Sequence, residues 1–165
     1  MIDLGNFEAC VCQRSGQPSE SCADRLVLQE KGKKITLKPR SGESAKLLIL
    51  DGCVLKDNSP KCDGVFFYEK RNTSYIILVE LKGGDIDHAF EQIKYTREQR
   101  TEYTSLKNHF RQNRSGSIIE SAFVISNHRI DRVTHQKLEK AHGLRLKAIL
   151  HSEATTPLQD LRTWL

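Results

Sequence analysis

Short apolar runs alternate with polar punctuation along this chain, and the spacing inside each run predicts its element. Arg25 to Gln29 and Lys34 to Lys38 alternate apolar with polar around Gly32, which predicts a hairpin; a helix through Glu20 to Glu30 is the rival reading. Lys46 to Leu55 reads as an apolar strand interrupted by Asp51-Gly52. Lys61 to Tyr68 and Tyr75 to Lys82 read as two further strands joined by the polar turn Glu69 to Ser74. From Asp85 the apolar spacing changes to Ile86, Ala89, Phe90 and Ile93, which predicts one helix running to about Phe110, with Asp85 as its N-cap. Ser117 to Ser126 is another apolar strand, Val133 to His142 a helix closed by Gly143, and Leu144 to Leu150 a final strand. Met1 to about Asp24 is polar and reads as a short helix plus loop. The tail Thr155 to Leu165, with Trp164, is expected to dock as a short amphipathic segment or to support self-association. The order predicts an α/β sheet with helical flanks, in one domain spanning residues 1–165.

The run Tyr75-Ile76-Ile77-Leu78-Val79-Glu80-Leu81-Lys82 carries the candidate chemistry. A strand alternates faces, so Glu80 and Lys82 project together while Leu81 points into the opposite layer. A hairpin symmetric about its turn has its midpoint between Arg71 and Asn72, which sets Asp63 opposite Glu80. Two carboxylates then converge with an ammonium beside them. That donor set, supplemented by the Leu81 carbonyl, suits Mg²⁺ or Mn²⁺, which take oxygen ligands and keep several waters. Lys82 would orient the attacking water, while the metal would offset charge growing on a scissile phosphate. Asp51, set in an apolar run, is read as forming a turn or bulge with Gly52, against a supporting role near the metal.

Asp63 followed by Glu80-Leu81-Lys82 resembles the PD-(D/E)XK nuclease superfamily, whose motif is an Asp on one strand and Glu-x-Lys on the next. Two residues separate Pro60 from Asp63, where the strict motif has an adjacent Pro-Asp pair. The resemblance covers Asp51 to about Arg100. It implies a restriction-endonuclease-like fold, a mixed central β-sheet flanked by helices. It also implies a divalent-metal-dependent nuclease with Asp63 and Glu80 on the metal. DNA is the expected substrate ahead of RNA, in repair, restriction or anti-phage defence, with the chain acting as a homodimer or with a partner protein. Some branches carry a Gln and a Tyr on the following helix, which points to Gln92 and Tyr95; His88 shares their face. Many members carry a further acid on an earlier element, for which Glu30 and Glu43 are both available. The rival function is a non-cleaving nucleic-acid-binding or regulatory module that keeps the fold.

Charge and cysteine content adjust this picture. Lys and Arg number 26 against 21 Asp and Glu, a formal net charge of +5. That balance permits nucleic-acid binding without requiring it. Lys94, Arg97 and Arg100 follow a helical spacing of three and are read as a backbone track, with a solvated face as the alternative. No apolar stretch reaches the roughly 18 residues of a membrane span and no charged-then-apolar leader is present, so the expected location is cytoplasmic. There the 5 cysteines would stay reduced. Cys53 and Cys62 are read as small core residues, and Cys10, Cys12 and Cys22 as an outside candidate for structural zinc.

Overall fold

The computed structural model describes residues 1–165. Its elements in chain order are a 3₁₀ helix Gly5–Cys10, β1 Cys22–Asp24, β2 Val27–Glu30, β3 Lys33–Thr36, β4 Ser44–Ile49, β5 Gly64–Lys70 and β6 Thr73–Lys82. There follow α1 Ile86–Gln99, α2 Thr101–Gln112, β7 Ser117–Ser126, α3 Arg132–His142, β8 Ala148–His151, β9 Gln159–Asp160 and a closing 3₁₀ turn Leu161–Trp164. No helix is long and apolar enough to cross a membrane.

The result is a mixed α/β fold with two sheets. The larger has the order β4-β5-β6-β7-β8. Its first three strands are antiparallel, and β6, β7 and β8 run parallel. The change of sense follows from connection length, because β5 and β6 are joined by a two-residue turn while α1, α2 and α3 carry the chain back between the parallel strands. The smaller sheet has the order β1-β2-β3-β9.

Alternation sorts the side chains of the large sheet into two layers. Val65, Phe67, Ile76, Leu78, Ala122 and Val124 meet Ala89, Phe90, Ile93, Leu106 and Phe110 of the helices. Phe66, Ile77, Val79, Leu81, Phe123 and Ile125 face the other way, onto Leu28, Ile35 and Leu37 of the small sheet. Both faces of β6 are therefore covered, which is why it reads as a continuous apolar run until Glu80.

Several sequence expectations change. The helix expected from Asp85 to Phe110 is two helices, broken at Arg100, whose backbone is extended (φ −89°, ψ 111°). Arg100 is turned inward and its guanidinium grips both carboxylate oxygens of Asp57 at 2.8 and 2.9 Å. β4 ends at Ile49, not near Leu55, because Asp51-Gly52 makes a turn in which the Gly52 amide donates to the Leu55 carbonyl. Gly52 has φ +81°, the left-handed conformation that glycine adopts without steric cost. The tail docks, with Leu161 fully buried and Arg162 bidentate to Glu43 at 2.6 and 2.7 Å. That guanidinium holds the Glu43 carboxyl far below the usual carboxylate range.

The cysteines depart most from expectation. Cys10 pairs with Cys53 and Cys12 with Cys22, and only Cys62 is free. The proposed zinc ligands Cys10, Cys12 and Cys22 are therefore all bonded to sulfur and offer no thiolate set. Such pairs persist in oxidising compartments and are rare in the cytosol, so the expectation of reduced thiols is not met.

Candidate functional site

The site forms where β5 begins and β6 ends. Gly64 is registered with Val79, and continuing the ladder by one residue brings Asp63 opposite Glu80. Both side chains project on the helix face and both are buried, Asp63 at 8% and Glu80 at 2% exposure. Backbone fixes them in place. The Asp63 carbonyl accepts from the amides of Leu50 and Asp51 at 3.0 and 3.3 Å, so the turn after β4 anchors the residue. The Leu81 amide donates to Asp63 Oδ2 at 2.6 Å, and the Asp63 amide donates to Glu80 Oε2 at 3.2 Å. The second oxygen of each carboxyl accepts no hydrogen bond from a protein N–H. The Leu81 carbonyl lies on the Asp63 side as well, because N–H and C=O of one strand residue leave in the same lateral direction.

Two residues on, Lys82 projects on the same face as Glu80 and its ammonium lies 3.3 Å from Gln92 Oε1 on α1. Gln92 Nε2 donates in turn to the Lys61 carbonyl at 3.1 Å. Gln92 thus spans from the end of β6 to the loop before β5 and fixes the direction of Lys82. Four residues further along α1, the Thr96 hydroxyl accepts from the Cys62 amide at 2.9 Å. The loop carrying Asp63 is consequently held from both sides.

Electrostatics set the pair apart from the rest of the molecule. Burial, the nearby Glu30 charge and that of Asp51 push the Asp63 carboxyl up to about 7, against the opposing hydrogen bond from Leu81. Burial and Asp63 push Glu80 well above the usual range, with Lys82 opposing. Two buried carboxyls forced together with only Lys82 as counter-charge favour one shared proton, or a cation in its place. No group of three or more His, Cys, Asp and Glu side chains is arranged to hold a metal, so an oxygen-liganding ion here would take Asp63, Glu80 and the Leu81 carbonyl and complete its shell with water.

No family model, curated protein or solved structure matches this chain.

Asp63, Glu80, Leu81, Lys82 and Gln92 come together as the strand pattern and the resemblance implied. The basic track does not. Lys94 donates to the His142 carbonyl at 2.8 Å, Arg97 Nε lies 2.7 Å from Glu120, and Arg100 is buried on Asp57. Each cation has an intramolecular partner, so the three do not form an open row; their spacing of three serves contacts with different elements. His88 is paired with Glu91 at 3.3 Å, and neither its ring nor that of Tyr95 hydrogen-bonds into the site. Asp51 forms the expected turn and also stands near enough for its charge to raise Asp63.

Of the two further acids, Glu30 is the one whose charge is felt at the pair, without joining it in a three-acid metal cluster. Glu30 lies at the end of β2, and its charge acts on both carboxyls. Glu43 is committed to Arg162 instead. The signal that could have separated them is positional: Glu30 follows buried Leu28 on one face of an alternating strand that must fold over the main sheet, so it continues inward past the last apolar contact.

Proposed function

We propose that the chain is a divalent-metal-dependent nuclease of the restriction-endonuclease-like kind, cleaving phosphodiester bonds in nucleic acid, DNA ahead of RNA. The carrying observation is the register that sets buried Asp63 against buried Glu80, with Lys82 held on the same face by Gln92. An Mg²⁺ or Mn²⁺ ion bound there would polarise the phosphate and acidify a water. The protein's own parts in the reaction are separable. Asp63 and Glu80 supply the anionic oxygens and release their shared proton as a cation enters. Lys82 presents an ammonium beside them, which orients a water and stabilises negative charge on the phosphoryl oxygens. Gln92 keeps that ammonium from swinging into solvent, and the Asp51 turn keeps Asp63 aligned. A mixed sheet in which an antiparallel hairpin leads into a helical crossover supports the same reading at the level of the fold.

The test is incubation of the purified protein, and of Glu80→Gln, with plasmid, linear duplex, single strands and structured RNA in Mg²⁺, Mn²⁺ or EDTA. Cleavage by the wild type alone, abolished by EDTA, is the expected result. A fully active Glu80→Gln protein would remove the argument, and absence of cleavage under every condition would favour a binding module.

A further inference from the structure

One basic feature has no partner inside the molecule. The β2–β3 hairpin turns through Lys31 and Gly32, both at positive φ (46° and 81°), and pairs Glu30 with Lys33. These signs match the mirror-image turn that suits a two-residue hairpin. The turn is basic, with Lys31, Lys33 and Lys34 around one glycine. Lys33 differs from its two exposed neighbours: it is only 4% exposed, yet its ammonium makes no ion pair or hydrogen bond within the chain. The Lys33 nitrogen is not among the side-chain nitrogens sealed from water without a hydrogen bond. The Lys33 stem is therefore covered while its ammonium still meets solvent.

Alternation decides where that ammonium goes. Leu28 pairs with Ile35 and both are fully buried between the sheets, so Glu30 and Lys33, paired two residues on, leave on that same face. Glu30 from this face acts on both Asp63 and Glu80. The other side of the hairpin is tied to the ends of β7 and β8. The Ser152 hydroxyl accepts from the Lys34 amide at 3.1 Å and donates to the Lys34 carbonyl at 3.2 Å, while the Ser152 amide donates to the Ser126 carbonyl. Ser126 is registered with Lys82 on β6. The hairpin thus crosses the end of the sheet that carries the carboxylates and holds there, on the layer opposite the helices, a cation with no ion pair or hydrogen bond.

We propose that Lys33 is a backbone-phosphate contact for the nucleic-acid strand entering the Asp63–Glu80 site, with Lys31 and Lys34 as outer contacts on the same turn. The substrate class rests on the nuclease reading; the contact is read by binding and so can be judged separately. An ammonium that has no ion pair or hydrogen bond and whose stem is fixed by a rigid hairpin can meet a phosphate with little loss of side-chain freedom.

The experiment measures binding of a short fluorescent DNA duplex and single strand by anisotropy, in Ca²⁺ to suppress turnover, over a salt series. The proteins are wild type, Lys33→Met and Lys33→Arg, with cleavage in Mg²⁺ followed in parallel. Methionine keeps the apolar stem, and thermal melting checks the fold. Lys33→Met should bind about tenfold or more weakly and with a salt slope lower by about one, as loss of one phosphate contact requires, and Lys33→Arg should recover most of the affinity. Wild-type cleavage with unchanged Lys33→Met affinity and slope would overturn the assignment and leave the nuclease reading standing. Lys33-dependent binding without cleavage would do the reverse. Equal displacement of the DNA by millimolar inorganic phosphate would reduce Lys33 to a simple anion site and overturn the strand contact.

Discussion

At the residue scale, the Asp63–Glu80 pair is costly to the metal-free fold, and pH makes that cost measurable. Asp63 titrates near 7 in the folded chain, above the value of about 4 expected when unfolded. The folded state therefore binds more protons between those values. The stability this contributes is full below about pH 4 and is lost as pH rises through 7. The metal-free protein should melt at progressively lower temperature from pH 5 to 8 as it loses stability on the order of a few kcal/mol. Asp63→Asn should flatten that profile and melt above wild type at pH 8; a wild-type profile already flat would show that the pair is not proton-linked. Saturating Mg²⁺ should also flatten it, because a bound cation takes the place of the proton. Lys82→Ala removes an ammonium without touching a carboxylate, so calorimetric Mg²⁺ binding should persist while cleavage falls about 100- to 1000-fold.

At the scale of elements, the hairpin register and the connection into β7 keep the site edge aligned. β5 and β6 are paired from Gly64–Val79 to Lys70–Thr73, so the two-residue turn at Arg71-Asn72 fixes the opposition of Asp63 and Glu80 at the far end. The chain enters β7 against that turn. The Ser117 amide donates to the Asn72 carbonyl at 3.1 Å, and a Cβ placed on Gly116 would overlap that carbonyl oxygen. Gly116→Ala must move backbone, and should destabilise by about 1–3 kcal/mol in urea unfolding; an unchanged midpoint would mean that the contact yields freely. The break between α1 and α2 shows the opposite situation. Ala89, Ile93, Thr96, Arg100, Tyr103, Leu106 and Phe110 are all buried and keep a helical spacing straight across it. Periodicity carried no sign of the interruption, which depends on Asp57 capturing the Arg100 side chain.

At the scale of the whole molecule, three layers are tied together by links between residues far apart in sequence. Cys10–Cys53 closes a separation of 43 residues and joins the first 3₁₀ helix to the turn beside Asp51; Cys12–Cys22 closes one of 10. On loop-closure entropy the longer link should contribute about 4 kcal/mol and the shorter about 3 kcal/mol. The Cys10→Ala/Cys53→Ala variant should therefore unfold at lower denaturant than Cys12→Ala/Cys22→Ala. Equal midpoints for both variants and the wild type would show that the links add nothing. The first link also borders the loop that anchors Asp63, so its loss should weaken the site before the fold fails, visible as reduced Mg²⁺ affinity in protein that still melts cooperatively.

The sequence by itself determined what depends on period and on short-range turns. Alternation placed Glu80 and Lys82 on one face, the short turn set Asp63 against Glu80, and apolar runs located β7 and α3, whose left-handed Gly143 cap is present. These are local rules, and each residue obeys them whatever lies across the fold. Only the tertiary structure decided which charges and which sulfurs meet. Lys94, Arg97 and Arg100 scatter to three partners, Glu43 is taken by Arg162 while the charge of Glu30 acts on the carboxyl pair, and the cysteines pair across 43 and 10 residues. The physical reason is that ion pairs and disulfides form through space. Their partners are fixed by the packing of layers, to which the local pattern contributes only one face at a time.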